Sequence, residues 1–279
     1  MPARPAPGRR FFGLDSLMAW LKKIFKRRES PDRLIFQGDF GSWQQAEAEA
    51  RGYGDISILA KTEESMREIL AGKAVYERDS VLLPKPEYPW PLIGCLLSAA
   101  LAAGGRLTVL DFGGALGSTY YQCRPFLTDV PLLAWMVVEQ KHYVESGLRE
   151  FSKGPVTFHD TMAAACSARK PDLALLSSVL PYLPDPYSLF QEMLCLGIQH
   201  VVVDRTFFLR RPAERLTVQF VPKSIYPATY PAWFLDEAKL KAIAARAGYR
   251  LVAEFQALDQ NEPEGENADA KGFFWRLGA

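Results

Sequence analysis

The chain has 279 residues, of which 48% are hydrophobic and 12% aromatic, enough to bury one substantial α/β core plus an appended segment. Its formal net charge of +1 hides a split: residues 1–28 hold eight Arg or Lys and one Asp, leaving 25 basic and 31 acidic residues for the rest. An acidic body speaks against a nucleic-acid partner, and the longest apolar run, 92–103 interrupted by Gly94 and Ser98, is too short for a membrane span. The four cysteines, Cys95, Cys123, Cys166 and Cys195, form no Cys-x-x-Cys pair, which argues against a zinc site or a disulfide framework and fits a reducing cytoplasm.

Pro2, Pro5, Pro7 and Gly8 leave residues 1–10 without regular structure. Within 11–28, Phe11, Leu14, Leu17, Met18, Leu21, Ile24 and Phe25 recur at helical spacing, with Lys22, Lys23, Lys26 and Arg27 mostly off that stripe. Residues 1–29 thus read as a basic amphipathic tail. It suits peripheral contact with the anionic inner face of a membrane, docking on a partner, or, less well, a presequence. Residues 30–90 read as a helical appendage and linker. Ser42 caps a helix from 43 to 51, and a second runs over 61–72. The run Tyr76-Glu-Arg-Asp-Ser80 precedes a strand-like 81–83, and Pro84, Pro86, Pro89 and Pro91 mark the linker.

From 91 to 279 the pattern is that of one domain. A helix over 92–103 ends at Gly104-Gly105. Strands at 107–112, 133–138, 155–159, 172–177 and 199–204 then alternate with helices at 117–127, 141–151, 161–169 and 186–196. Five apolar strands separated by helices predict a doubly wound, Rossmann-like parallel sheet. Beyond them come an extended 215–221, a helix over 235–247 and strands at 250–258 and 272–277, a hairpin-like pair that gives the sheet an antiparallel edge. The intervening 259–271, rich in acids and without large apolar residues, reads as a surface loop.

Ligands of open α/β sheets sit at the carboxyl ends of the strands. That rule selects Asp111 to Gly117 after the first strand, with Gly113, Gly114 and Gly117 permitting a tight turn and close backbone approach to a cofactor. After the second strand come Glu139, placed to accept hydrogen bonds from ribose hydroxyls, Gln140 and His142; after the third, His159 and Asp160. Ser177, Ser178 and Tyr182 follow the fourth, and Asp204, Arg205 and Thr206 the fifth. Asp160 can equally cap the next helix, and the serine pair can be no more than a cap. No Gly-Lys-Ser or Gly-Lys-Thr follows the turn, so a nucleoside-triphosphate loop is excluded.

The runs Val109-Leu-Asp-Phe-Gly-Gly-Ala-Leu-Gly117, Val137-Val-Glu139 and Asp172-Leu-Ala-Leu-Leu-Ser-Ser-Val-Leu-Pro-Tyr-Leu183 resemble the motifs of class I S-adenosylmethionine (SAM)-dependent methyltransferases. More narrowly, the chain resembles a largely uncharacterised family of bacterial methyltransferases associated with surface polysaccharide loci. Tyr76-Glu-Arg-Asp-Ser80, Val138-Glu-Gln140, Leu176-Ser-Ser-Val-Leu180, Asp204-Arg-Thr206, Leu216-Thr-Val-Gln219 and Ser224-Ile-Tyr-Pro-Ala-Thr-Tyr-Pro-Ala-Trp-Phe234 carry that likeness, over about residues 36–277. One departure stands out: the second glycine of Asp-x-Gly-x-Gly is displaced to Gly114, with Ala115 in its place.

The resemblance implies a seven-stranded, mostly parallel sheet with an antiparallel C-terminal strand. It implies SAM held by Asp111, Gly113, Gly114, Gly117, Glu139, Gln140, Asp160, Ser177 and Ser178, and methylation of a small-molecule or glycan acceptor such as a sugar hydroxyl, with no metal. Methyl transfer is an in-line displacement that needs a positioned acceptor and, for a hydroxyl, one base. His142, Asp204, Glu77 and Asp79 are the candidates. Against each stands a structural role, as helix start, as partner of Arg205, or as part of an ion-pair knot around Arg78. Tyr182, Arg205, Tyr226, Tyr230 and Trp233 are candidates for the acceptor, the aromatics of 224–234 forming either a sugar-stacking loop or a plug of the core. Arg205, Arg210, Arg211 and Arg215 form either an anion subsite or a solvated rim. Competing readings are an NAD(P)-dependent oxidoreductase, disfavoured by the lack of a Gly-x-Gly-x-x-Gly, and a non-catalytic Rossmann-like binding module.

Overall fold

The structure, a computed structural model, describes residues 34–50, 56–74, 76–78, 81–83, 87–222, 228–259 and 262–278. The basic segment 11–28, Asp79 and Tyr226 lie outside the described residues.

The chain opens with β1 (Ile35–Gln37), α1 (Trp43–Glu49), α2 (Ile56–Leu70), β2 (Tyr76–Arg78) and β3 (Val81–Leu83). Ser42 starts α1 by accepting a hydrogen bond from the Gln45 N–H. Then α3 (Trp90–Ala102) begins on Pro91 and buries Leu92, Ile93, Leu96, Ala99 and Ala100. It stops where Gly104, at φ +72°, turns the chain and Gly105 N–H returns to the Ala100 carbonyl.

The main sheet follows. Strands β4 (Arg106–Phe112), β5 (Leu132–Val138), β6 (Val156–His159), β7 (Leu173–Ser177) and β8 (His200–Leu209) alternate with α4 (Ser118–Cys123), α5 (Lys141–Ser146), α6 (Met162–Ala168) and α7 (Pro186–Cys195). After β9 (Arg215–Phe220) and β10 (Thr229–Phe234) come α8 (Glu237–Arg246), β11 (Tyr249–Gln256) and β12 (Ala268–Leu277). Seven strands are ordered β6-β5-β4-β7-β8-β12-β11. The first five are parallel, while β12 runs antiparallel between β8 and β11. This is the doubly wound, Rossmann-like α/β sheet expected, with the antiparallel pair β12–β11 closing one side so that β11 and β6 are its edges. Phe274 of β12 is buried in the apolar layer on one face of the sheet, and Phe273 and Trp275 in the layer on the other. Two apolar layers flank the sheet, one around α3, α4, Trp135 and Val137, the other around α7, α8, Phe190 and Trp275.

Because β5 and β6 lie on one side of β4 and β7 on the other, the winding direction reverses between β4 and β7. That switch point is where a crevice opens at the strand ends.

A second sheet corrects two expectations. β1, from the stretch read as a helical appendage, pairs antiparallel with β9, which pairs in turn with β10. Among the described residues the appendage is therefore mixed helix and strand, and those from Leu34 onward pack as one compact unit. Tyr230, Trp233 and Phe234, read as part of an aromatic loop, are strand residues, and Phe234 is fully buried against Phe36 and Phe207. Tyr230, Ala232 and Phe234 share one buried face of β10 while Pro231 and Trp233 face the other way, the period of two expected of a strand.

Candidate active site

The loop leaving β4 is shaped by what lies beneath it. Asp111 is buried, and its Oδ2 accepts a 2.7 Å hydrogen bond from the Trp135 indole N–H. Burial pushes this carboxyl up to about 7, against the Trp135 hydrogen bond and with the help of the Glu139 charge. A Cβ on Gly114 would overlap that carboxylate, which explains why the glycine stands there. Gly113, at φ +71°, likewise leaves no room for a Cβ beside Val179. Ala115 adopts φ +50°, a left-handed conformation unusual for alanine, and Gly117 at φ +91° leads into α4. Where the second glycine of the motif would stand, Ala115 itself takes the left-handed turn.

Glu139 leaves the end of β5 next to this loop. Its carboxylate accepts hydrogen bonds from the Ala115 N–H at 3.3 Å and the Gln140 N–H at 2.7 Å. Burial raises its carboxyl above the usual range, and those two amides pull it back. Gln140 itself is exposed and precedes α5. Asp160 is exposed at the end of β6; Thr161, not Asp160, caps α6, accepting from the Ala164 N–H. Ser177 and Ser178 end β7, Ser178 at φ +58° with its N–H on the Asp204 carbonyl. The loop, Glu139, Asp160 and Ser177 thus stand at the carboxyl ends of four adjacent strands.

The base candidates separate. Asp204 is buried in β8 opposite Ser177 and accepts a hydrogen bond from the Arg205 N–H at 2.9 Å. A cavity beside it is lined by Leu92, Thr119, Gln122, Ser177, Asp204 and Arg205. Its charge is felt by two buried thiols: burial first, then Asp204, pushes Cys95 up to about 12, and the same two causes raise Cys123. Glu77, also buried, accepts a hydrogen bond from Ser118 Oγ at the start of α4. His142 sits in the first turn of α5, its Nε2 buried without a hydrogen-bond partner.

The acceptor candidates also divide. Arg205 makes a forked ion pair with Asp259, at 2.7 and 3.1 Å, and both side chains are mostly covered. Arg210 pairs with Asp269, Arg211 with Glu266, and Arg215 with Glu266 and the Gly38 and Glu264 carbonyls. Asp259, Glu266 and Asp269 are the counterions of these arginines, and Asp269 already belongs to β12, so the described part of the expected surface loop is tied down by ion pairs. Tyr182 donates to Gln219 Oε1 at 3.0 Å, and Gln219 donates to the Tyr230 hydroxyl at 3.1 Å. Trp233 is partly buried with an indole N–H that reaches no partner. Trp135, Gln219, Asp259, Thr119 and Gln122 were not singled out by sequence. Only Trp135, the one aromatic residue in a strand otherwise aliphatic apart from Met136, carried a signal.

No protein-family model matches the chain, nor does any curated protein sequence. Solved structures do. The N-terminal domain of EvdMO1, crystallised in the presence of SAH and D-fucose, aligns at TM-score 0.47 and 13% identity, over 80% of this chain and 100% of that one. Magnesium protoporphyrin IX methyltransferase (ChlM) from Synechocystis PCC 6803 with bound SAH aligns at 0.45 and 12%, over 67% and 83%. The glycopeptide N-methyltransferase MtfA complexed with SAM aligns at 0.42 and 11%, over 65% and 87%. The fold assignment rests on the strand order, independent of these likenesses.

Proposed function

We propose that the protein is a SAM-dependent methyltransferase that methylates a hydroxyl on a sugar or related group of a surface glycan or its precursor. The observation that carries this reading is the placement of the small-residue loop 113–117 and the Glu139 carboxylate side by side at the switch point of the seven-stranded sheet. These residues fit a nucleoside: the loop offers backbone in place of side chains, Glu139 offers acceptor oxygens, and Asp160, relieved of capping by Thr161, stands exposed on the next strand. Gly113 to Gly117, Glu139, Gln140, Asp160, Ser177 and Ser178 would hold the donor. When bound, SAM supplies an electrophilic methyl on its sulfonium.

The chain must then position the acceptor and remove one proton. Asp204 is the proton acceptor of choice, because it is buried opposite Ser177 at the end of β7, whereas Glu77 is engaged by Ser118 and the His142 Nε2 is enclosed. Of the candidate aromatics Tyr182 is only half-buried, its hydroxyl on Gln219, and it would offer a ring edge to a sugar, with Tyr230 buried behind it. The pairing of Arg205 with Asp259 removes that arginine from acceptor binding. Residues 11–28 would hold the enzyme at the inner face of the membrane, and no described helix is long and apolar enough to cross one. Transfer of radiolabelled methyl from SAM to a panel of nucleotide-linked and lipid-linked sugars tests the reading. Asp204→Asn should bind SAM and lose at least about a hundredfold in transfer, the scale of one general base. Label incorporation only into protein or nucleic acid would contradict it.

A further inference from the structure

The displaced glycine asks how a loop with alanine at position 115 is kept in a left-handed turn. Three observations converge on one side chain. In the β4–β5 register Asp111 stands opposite Val137 and Val109 opposite Trp135, so Val109, Asp111, Trp135 and Val137 share one face of the sheet. From there the fully buried Trp135 indole reaches along the strand to Asp111 Oδ2. The carboxylate so held occupies the space a side chain at position 114 would need. The other edge of the same indole lies 5.7 Å, centroid to centroid, from the ring of Tyr120 in the first turn of α4. Trp135 therefore touches both the strand that enters the loop and the helix that leaves it.

We propose that Trp135 is the positioning residue of the donor loop: its N–H clasps Asp111 beneath Gly114, and this clasp holds Ala115 where its N–H meets Glu139. The inference rests on the donor site proposed above. It also assigns Asp111 a role from below the loop, since its carboxylate faces the indole and not the crevice. The titratable groups around Asp111 are Glu139 on β5, Cys123 and Tyr120 on α4 and, beyond Cys123, Asp204 on β8. None is a cation, so the indole N–H is the donor that favours the ionised carboxylate there.

The test uses the full chain, isothermal titration with SAM and with S-adenosylhomocysteine, and amide hydrogen exchange of residues 112–118 without ligand. Trp135→Phe should weaken SAM binding about tenfold, the scale of one charge-assisted hydrogen bond. The gap from wild type should widen from about pH 6 to about pH 8.5, as a carboxylate without its donor is forced to ionise. Asp111→Ala should lose as much, Asp111→Asn should recover most of that loss by accepting from the indole, and Trp135→Phe/Asp111→Ala should be no worse than either single change. Loop amides should exchange faster in Trp135→Phe. Should that core replacement fail to fold, Asp111→Ala and Asp111→Asn carry the comparison. Wild-type affinity and wild-type exchange in Trp135→Phe would overturn the clasp, as would losses that multiply in the double variant. If the wild-type protein binds neither ligand, the donor-site reading fails, and exchange at 112–118 alone decides the clasp.

Discussion

Replacing Arg205 with methionine separates a structural arginine from an acceptor-binding one. The guanidinium makes two hydrogen bonds to Asp259, and the side chains retain only 18% and 12% of their exposure. Breaking a fully buried pair costs about 3–5 kcal/mol; the water still reaching this one lowers the expectation to about 2 kcal/mol. With a urea dependence of about 2.5 kcal/mol per molar, the midpoint of unfolding should fall by about 0.8 M. Circular dichroism across a urea series measures that shift. Adding Asp259→Leu should restore at least about half of it, because an apolar pair replaces the stranded carboxylate. SAM affinity should change less than about twofold, since the pair lies off the donor loop. An unshifted midpoint in Arg205→Met, with acceptor methylation lost, would refute the assignment and return the arginine to the acceptor.

Ala115→Gly relieves a left-handed alanine and should stabilise the protein by about 0.5 kcal/mol after the extra freedom of glycine in the unfolded chain, a rise of about 1 °C in calorimetric Tm. His200, buried against Phe274, has its ring nitrogens on the Asp172 carbonyl and the Arg276 Nε, and burial above all lowers its pKa. The unfolded chain then binds a proton at a higher pH than the folded one. The stability tied to a neutral His200 is thus complete above the usual histidine pKa and is lost as pH falls below it. Between about pH 7 and about pH 5, chemical denaturation should show wild type losing more stability than His200→Phe. The raised Asp111 works in the opposite sense over that window, favouring the fold as pH falls, and is common to both proteins, so the difference isolates His200.

Much of the architecture could be read in advance because it follows from local patterns. The five parallel strands came from short apolar runs bounded by helices, and observed bounds differ from those expected by a residue or so, except at β8. That strand continues to Leu209 because its later residues pair with β12, a contact far away in sequence. The same distance hid the β1–β9–β10 sheet: three residues, Ile35 to Gln37, carry almost no periodic signal, and their partners lie about 180 residues on. The helix expected over 141–151 ends as a π-helical turn, Gly147–Phe151, and at its start Gly147 leaves the space of a side chain to the Phe158 ring. At the site, Glu139, Asp160 and the glycines were legible as strand-end residues. What sequence order could not give was pairing: that Asp111 answers to Trp135, Arg205 to Asp259, and Tyr182 to Tyr230 through Gln219. Each pairing joins residues 24 to 54 positions apart or more loosely through a third element, and only the assembled sheet brings them together.

Whether Glu139 and the loop at Gly113 to Gly117 hold SAM is decided by isothermal titration of the full chain with SAM and, separately, with NADH. SAM should bind at micromolar concentration and NADH not comparably, and Glu139→Ala should lose SAM binding with the fold intact by circular dichroism. Preference for NADH, or SAM binding that survives Glu139→Ala undiminished, would contradict a SAM site there.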